Sequence, residues 1–348
     1  MAWNHTDDEK MRHLLRLTIG PTMRLSQILS VAPYPLSLFQ RNYSLASVQV
    51  QLVIFVRLLV AIAVAVLTVS SFLVLFFYYP KLLYLPTVPM FIKILYYIGS
   101  FLQVLTVGNL LIGCEHRRPQ YETYFERALV LVRNTASQGD CQQTVWYRNT
   151  IKALLVIYSS VVLMFPFASA SVLFDIGTIP YTIVHLVPFT VSALILLQYY
   201  CVSVHLSSIS RKLNDRLETL AAGTAWGQPE THLKSVYVPH GQDHSFHPVK
   251  PGESLFQRIE QLRLLHVQLW EMASVLFDNF SPVIILILVS TFASVNIDLL
   301  ELYQCAKHAT LSPFQLVLKG LYAGIKFFFY FLIAYPNRLN QKEVKNGG

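Results

Sequence analysis

Lys319 and Lys326 stand seven residues apart in an otherwise apolar stretch, 313–335. Seven residues make two helical turns, so both ammonium groups fall on one face of a helix. If that stretch crosses a bilayer, an ammonium facing lipid costs roughly 3 kcal/mol or more. It then turns toward the bundle interior, toward water or toward a partner, with snorkelling to headgroups as the ordinary alternative. Lys319 and Lys326 are therefore the pore or charge candidates, and Asp278 is an acid that could pair with one of them. Arg57 and Lys93 lie nearer the ends of apolar runs and are expected to snorkel. His266 falls among leucines in a repeat of fours and threes, where a buried histidine fixes register. His240, His244 and His247 have metal-like spacing, but they sit among Pro and Gly without Cys ligands or a rigid scaffold. No metal and no cofactor are expected, and no set of residues has the spacing of a catalytic site.

The elements that position these residues follow from composition. Hydrophobic residues make up 54% of the 348 positions and charged ones 13%, with a mean hydropathy of +0.46. Soluble domains carry about 25% charged residues. A bilayer core requires about 20 apolar residues per helix. Stretches 58–80, 94–114, 153–174 and 176–210 contain no Asp, Glu, Lys or Arg, with Pro180 and Pro188 kinking the last or delaying its start. A fifth span is expected at 279–297, and the lysine-bearing 313–335 makes six. The fold class is thus all-α, a polytopic transmembrane helical bundle.

Orientation comes from the loops. Twenty Lys and Arg lie before the first span, in alternate loops and in the tail, against Lys81 and Lys307 in the opposite loops. Basic residues mark the cytoplasmic side, so the N-terminus and the tail are expected inside, facing anionic lipid rather than nucleic acid. The first residues carry Asp7, Asp8, Glu9, Lys10 and Arg12 and do not read as a signal peptide. Of Cys114, Cys141, Cys201 and Cys305, only Cys305 falls outside, so an extracellular disulfide is not expected. The sequons at Asn4, Asn42 and Asn279 fall on the cytoplasmic or membrane part and read as chance matches.

Five segments result: a cytoplasmic N-terminal segment (1–50), spans one to four (51–206), a long cytoplasmic loop with helical flanks (207–264), spans five and six (265–336), and a cytoplasmic tail (337–348). Residues 25–31 read as a short helix stopped by Pro33 and Pro35 at the inner surface. The loop's middle, 221–252, reads as disordered. Its flanks differ: Leu255, Ile259, Leu262, His266, Leu269, Ala273 and Leu276 make a heptad seam, and Leu206, Leu213, Leu217 and Leu220 a shorter stripe. Spans four and five should project past the bilayer packed on each other, with Leu262, His266 and Leu269 at the contact.

Three stretches carry a resemblance. Arg211-Lys-Leu-Asn-Asp-Arg-Leu217 resembles the basic "LNxxL" exit from span four of insect gustatory receptors. Leu262-Arg-Leu-Leu-His266-Val-Gln-Leu269 resembles that family's "LxxLHxxL" lead into span five. Pro33-Tyr-Pro35 is similar to its "GLFPF" region before span one, with Val31 and Ala32 in place of Gly-Leu. One departure is the polar stretch 337–348, where family members have a seventh, pore-lining helix bearing Thr-Tyr and Gln-Phe. The chain therefore reads as ending before it.

The resemblance implies a ligand-gated cation channel subunit without enzymatic activity, in the plasma membrane of sensory neurons. It also implies a homo- or hetero-tetramer that binds a small-molecule tastant in the outer half of the bundle. With the N-terminus inside, the residues at outer span ends are Tyr96, Tyr97, Phe165, Phe174, Tyr181, His185, Phe189, Phe292, Asn296 and Tyr322. That mix suits small amphipathic ligands, although aromatics at these depths also serve as interfacial anchors. An odorant receptor is the close alternative. An unrelated transporter is more distant, since paired broken helices in inverted repeats are absent. The charge bias, and the lack of Asp-Arg-Tyr after span three, oppose a G-protein-coupled receptor.

Overall fold

The protein is described from a computed structural model, which covers residues 12–13, 15–39, 47–78, 89–135, 178–225, 255–308 and 313–347, with positions 149, 150, 152–154, 156, 157, 159 and 160. Among these residues the regular structure is helical. In chain order the elements are α1 (Gly20–Ile28), α2 (Val48–Phe77), α3 (Met90–Ile112), a 3-10 turn (Glu115–Arg117) and α4 (Arg118–Thr135). They continue with α5 (Thr178–Ala225), α6 (Leu255–His308) and α7 (Pro313–Gly347).

Among the described residues four helices are long and apolar enough to cross a membrane: Val48–Phe77, Met90–Ile112, Ile179–Ala221 and Leu255–Gln304. They coincide with the first, second, fourth and fifth expected spans. The third, 153–174, lies mostly outside the described residues. The sixth coincides with α7, which is not among the four and runs on through Pro336 to Gly347.

Helix α5 is the hub, packed against α1, α2, α3, α4, α6 and α7. Every residue from Val191 to Val204 is buried, on all faces of the helix, as expected of a central helix. Pro188 sits inside it rather than at its start. The peripheral α2 shows the opposite pattern. Its buried positions are Ala61, Ala65, Thr68, Ser71 and Leu75, while Leu52, Phe55, Val56, Leu59 and Val66 are exposed. Small residues inward and branched residues outward suit a helix that packs closely on its neighbour and presents its other face to hydrocarbon. In lipid, apolar burial gains little by itself, so close packing and internal hydrogen bonds hold such a bundle. At Gly99 on α3 an added Cβ would lie 2.8 Å from Cδ1 of Ile297, which marks the close approach of α3 to α6.

Helix length fixes how far the bundle projects. At 1.5 Å per residue, the 54 residues of α6 span about 80 Å, against a hydrocarbon core of about 30 Å. The charge-free run 279–297 is about long enough to cross that core. The half before it carries Arg258, Glu260, Arg263, Glu271 and Asp278. The matching half of α5 carries Arg211, Lys212, Asp215, Arg216 and Glu218.

The N-terminal segment is docked on the bundle: Leu15, Ile19, Met23, Val31, Ala32, Leu36 and Leu38 join the main core, and α1 packs on α5. Ser30, at φ 58°, turns the chain after α1. The irregular backbone that follows would bury unpaired carbonyls. Arginines supply the donors: Arg12 Nη1 reaches Ser37 O at 2.7 Å, Arg16 Nε reaches Leu38 O at 2.7 Å, and Arg118 donates to Tyr34 O. Acids take the amides, with the Ser37 N–H donating to Glu122 Oε1 at 2.9 Å and the Tyr34 N–H to Glu115 Oε1 at 3.3 Å. Arg57 corrects the snorkelling expectation. It donates to Gln27 O, in the last turn of α1, and to Ala32 O at 2.6 Å, with its guanidinium carbon 5.5 Å from the centroid of the Tyr34 ring.

Candidate functional site

Two polar groupings lie at opposite ends of the α5–α6 pair. The first is built where α5, α6 and α7 meet. Lys326 is buried on α7, its side chain 5% exposed. Its Nζ lies 2.5 Å from Asp298 Oδ2 on α6 and donates to the Ser294 hydroxyl one turn earlier. The same ammonium lies 4.5 Å from the centroid of the Tyr322 ring, one turn before it on α7. A buried charge without a partner is costly. Here all three N–H donors have a place: carboxylate, hydroxyl and aromatic face.

Aromatic rings extend this grouping along α5. Phe189 stacks on Phe329 at 5.0 Å between centroids and approaches Tyr322 at 6.1 Å. Tyr181 and His185 lie 4.5 Å apart, and Tyr181 also packs with Tyr97 against Leu75 and Val184. Of the residues singled out by sequence, Tyr181, His185, Phe189, Tyr322 and Lys326 thus come together, with Tyr97 adjoining. Tyr96 is buried separately against Ile92 and Ile297. Phe292 and Asn296 are exposed on α6, the Asn296 amide donating to Phe292 O at 2.8 Å. Phe165, Phe174 and the side chain of Lys319 lie outside the described residues. The suggested acid also changes: Asp278 is exposed, and the partner of Lys326 is Asp298. Sequence reading missed Asp298, Ser294 and Phe329. Asp298 did carry a signal, as the first acid after the charge-free run 279–297.

The second grouping joins the two stretches that flank the long loop. His266 Nδ1 donates to Leu262 O at 2.9 Å, and Nε2 faces the Asn214 side-chain amide, Oδ1 at 3.4 Å. Around it Leu213, Leu262, Leu269 and Leu276 are buried, while Leu255, Ile259 and Leu217 are exposed, so the seam opens toward its free end. From His266 to Asp298 the helix rises about 48 Å, more than the thickness of a bilayer core of about 30 Å. Replacing His266 with Ala should cost about 1 kcal/mol, the net worth of one hydrogen bond with its packing. The melting temperature of the detergent-purified chain reads that loss.

A third network ties α4 to the hub. Tyr121 donates to Gln198 Oε1 at 2.5 Å, and the Tyr124 hydroxyl lies 3.4 Å from both Val202 O and His205 Nδ1. Burial raises the ionisation of both phenols far above the ordinary range, so they remain neutral donors. Cys114 and Cys201 are free and buried.

A family model described as 7tm chemosensory receptor matches residues 19–348. The chain belongs to this family. Among curated proteins nothing matches it. Membership makes it a chemosensory membrane receptor, and apolar helices shaped for lipid agree. In this receptor the α5–α7 grouping is the place where charge, hydroxyls and ring faces converge inside the bundle. Among the described residues no three His, Cys, Asp or Glu cluster in a way that could hold a metal ion.

Proposed function

We propose that this chain is a gustatory receptor, a subunit of a ligand-gated cation channel in the plasma membrane of a sensory neuron, and that its tastant binds against the α5–α7 grouping. The convergence of Tyr181, His185, Phe189 and Tyr322 around the Lys326–Asp298 pair carries this reading, since such sites combine aromatic walls with a few placed polar groups. Family membership supports the receptor class. The meeting of Asn214 with His266 supports the gustatory subtype, because those residues lie in the two stretches that resemble it. The N-terminus and residues 207–264 and 337–348 are cytoplasmic in this reading, spans one to four occupy 51–206, and spans five and six 265–336. The assembly is a tetramer of like or related subunits. Lys319 and Lys326 then lie on the helix nearest the conduction path.

A panel of non-volatile tastants applied to the purified full-length chain tests the site. A compound that raises the melting temperature should lose most of that effect in Phe189→Ala and in Tyr181→Ala. Undiminished stabilisation in both variants, or no stabilisation by any panel member, contradicts the placement.

A further inference from the structure

Lys326 is held as a bound amine would be. Its ammonium meets a carboxylate oxygen of Asp298 at 2.5 Å, donates to the Ser294 hydroxyl and lies 4.5 Å from the centre of the Tyr322 ring. An anion, a neutral acceptor and a ring face together are the groups that select a primary ammonium. Burial adds discrimination, because the same carboxylate without a cation would be an uncompensated charge inside the bundle.

We infer that Asp298, Ser294 and Tyr322 form a primary-ammonium subsite which the receptor fills with its own Lys326, and that this self-occupancy bars free alkylammonium ligands from that subsite. A side chain tethered by its own helix competes at an effective concentration of millimolar or more, so a free amine of modest affinity does not displace it. With the lysine present the subsite carries no net charge and draws neither cations nor anions. Asp298 is the more open member, its side chain 21% exposed against 5% for Lys326, so the carboxylate is the side from which a cation would enter once the lysine is gone. Whether or not the receptor conducts, this assignment is read from binding alone, and it stands or falls apart from the proposed tastant site.

Truncating Lys326 to Ala removes the atoms of n-propylamine. The test is therefore the melting temperature of the purified full-length chain with n-propylammonium chloride, against n-propanol and sodium chloride at matched concentration. In the wild type, propylammonium should act no differently from sodium. Lys326→Ala should melt about 5–10 °C lower, and propylammonium, but not propanol, should restore most of that loss. In Lys326→Ala combined with Asp298→Asn the buried charge is gone, and the preference should invert in favour of propanol. The assignment is overturned if propylammonium stabilises the wild type as much as Lys326→Ala, if it fails to rescue Lys326→Ala, or if the double variant still prefers the cation. Should the single variant not accumulate, the double variant alone decides, through inversion or persistence of that preference.

Discussion

Asp298→Ala should destabilise the receptor by about 3–5 kcal/mol, the typical cost of stranding one member of a buried ion pair. The loss should exceed that of any other single side chain in the α5–α7 grouping. Lys326 has few alternatives: its side chain is 5% exposed, and what remains nearby is one hydroxyl and one ring face. Removing both charges should cost far less. Asp298→Leu with Lys326→Met leaves apolar groups of similar volume, and such exchanges are often neutral or stabilising. A double-mutant cycle on melting temperature or denaturant midpoint should therefore give strong coupling. Additive losses would mean that the two residues do not meet.

Arg57→Ala should cost about 3 kcal/mol, since hydrogen bonds from a charged group contribute roughly 1.5–3 kcal/mol each. One guanidinium serves Gln27 O and Ala32 O together and lies near the Tyr34 ring. Its removal orphans the Ala32 carbonyl and leaves Gln27 O with the Ser30 N–H alone. Arg57→Lys should recover less than half, because a single ammonium lacks the planar fork that reaches two acceptors at once. The lesion should be local. Limited proteolysis should open near residues 30–39 while α5, α6 and α7 stay protected, and uniform loss of protection would argue against an N-terminal segment docked through Arg57.

Much of the bundle was legible because its signals are local. An apolar run free of charge favours a helix wherever its neighbours lie, and four such runs fall in helices long and apolar enough to cross a membrane. The flanks of the long loop were legible for the same reason: a repeat of fours and threes puts Leu262, His266 and Leu269 on one face, and that face found Leu213 and Asn214. What failed depended on register between distant helices. Spacing placed Lys319 and Lys326 on one face but pointed to Asp278 and missed Asp298, because the partner is set by how α7 lies along α6. The docking of the N-terminal segment was hidden in the same way. Arg57 near the end of an apolar run reads as a snorkelling side chain until the segment 27–34 is seen packed beside it. Tyr96 and Phe292 show the limit of choosing aromatics by depth, since one is buried against Ile297 and the other exposed.

In the proposed orientation, α6 runs from a cytoplasmic end near His266 to an outer end beyond Asp298. Thiol labelling of intact cells by a membrane-impermeant reagent tests it most directly, in a Cys305→Ser background with a cysteine placed at either of two exposed positions, Gln261 or Tyr303. Tyr303→Cys should be labelled on intact cells, and Gln261→Cys only after permeabilisation. Labelling of Gln261→Cys on intact cells would contradict the account.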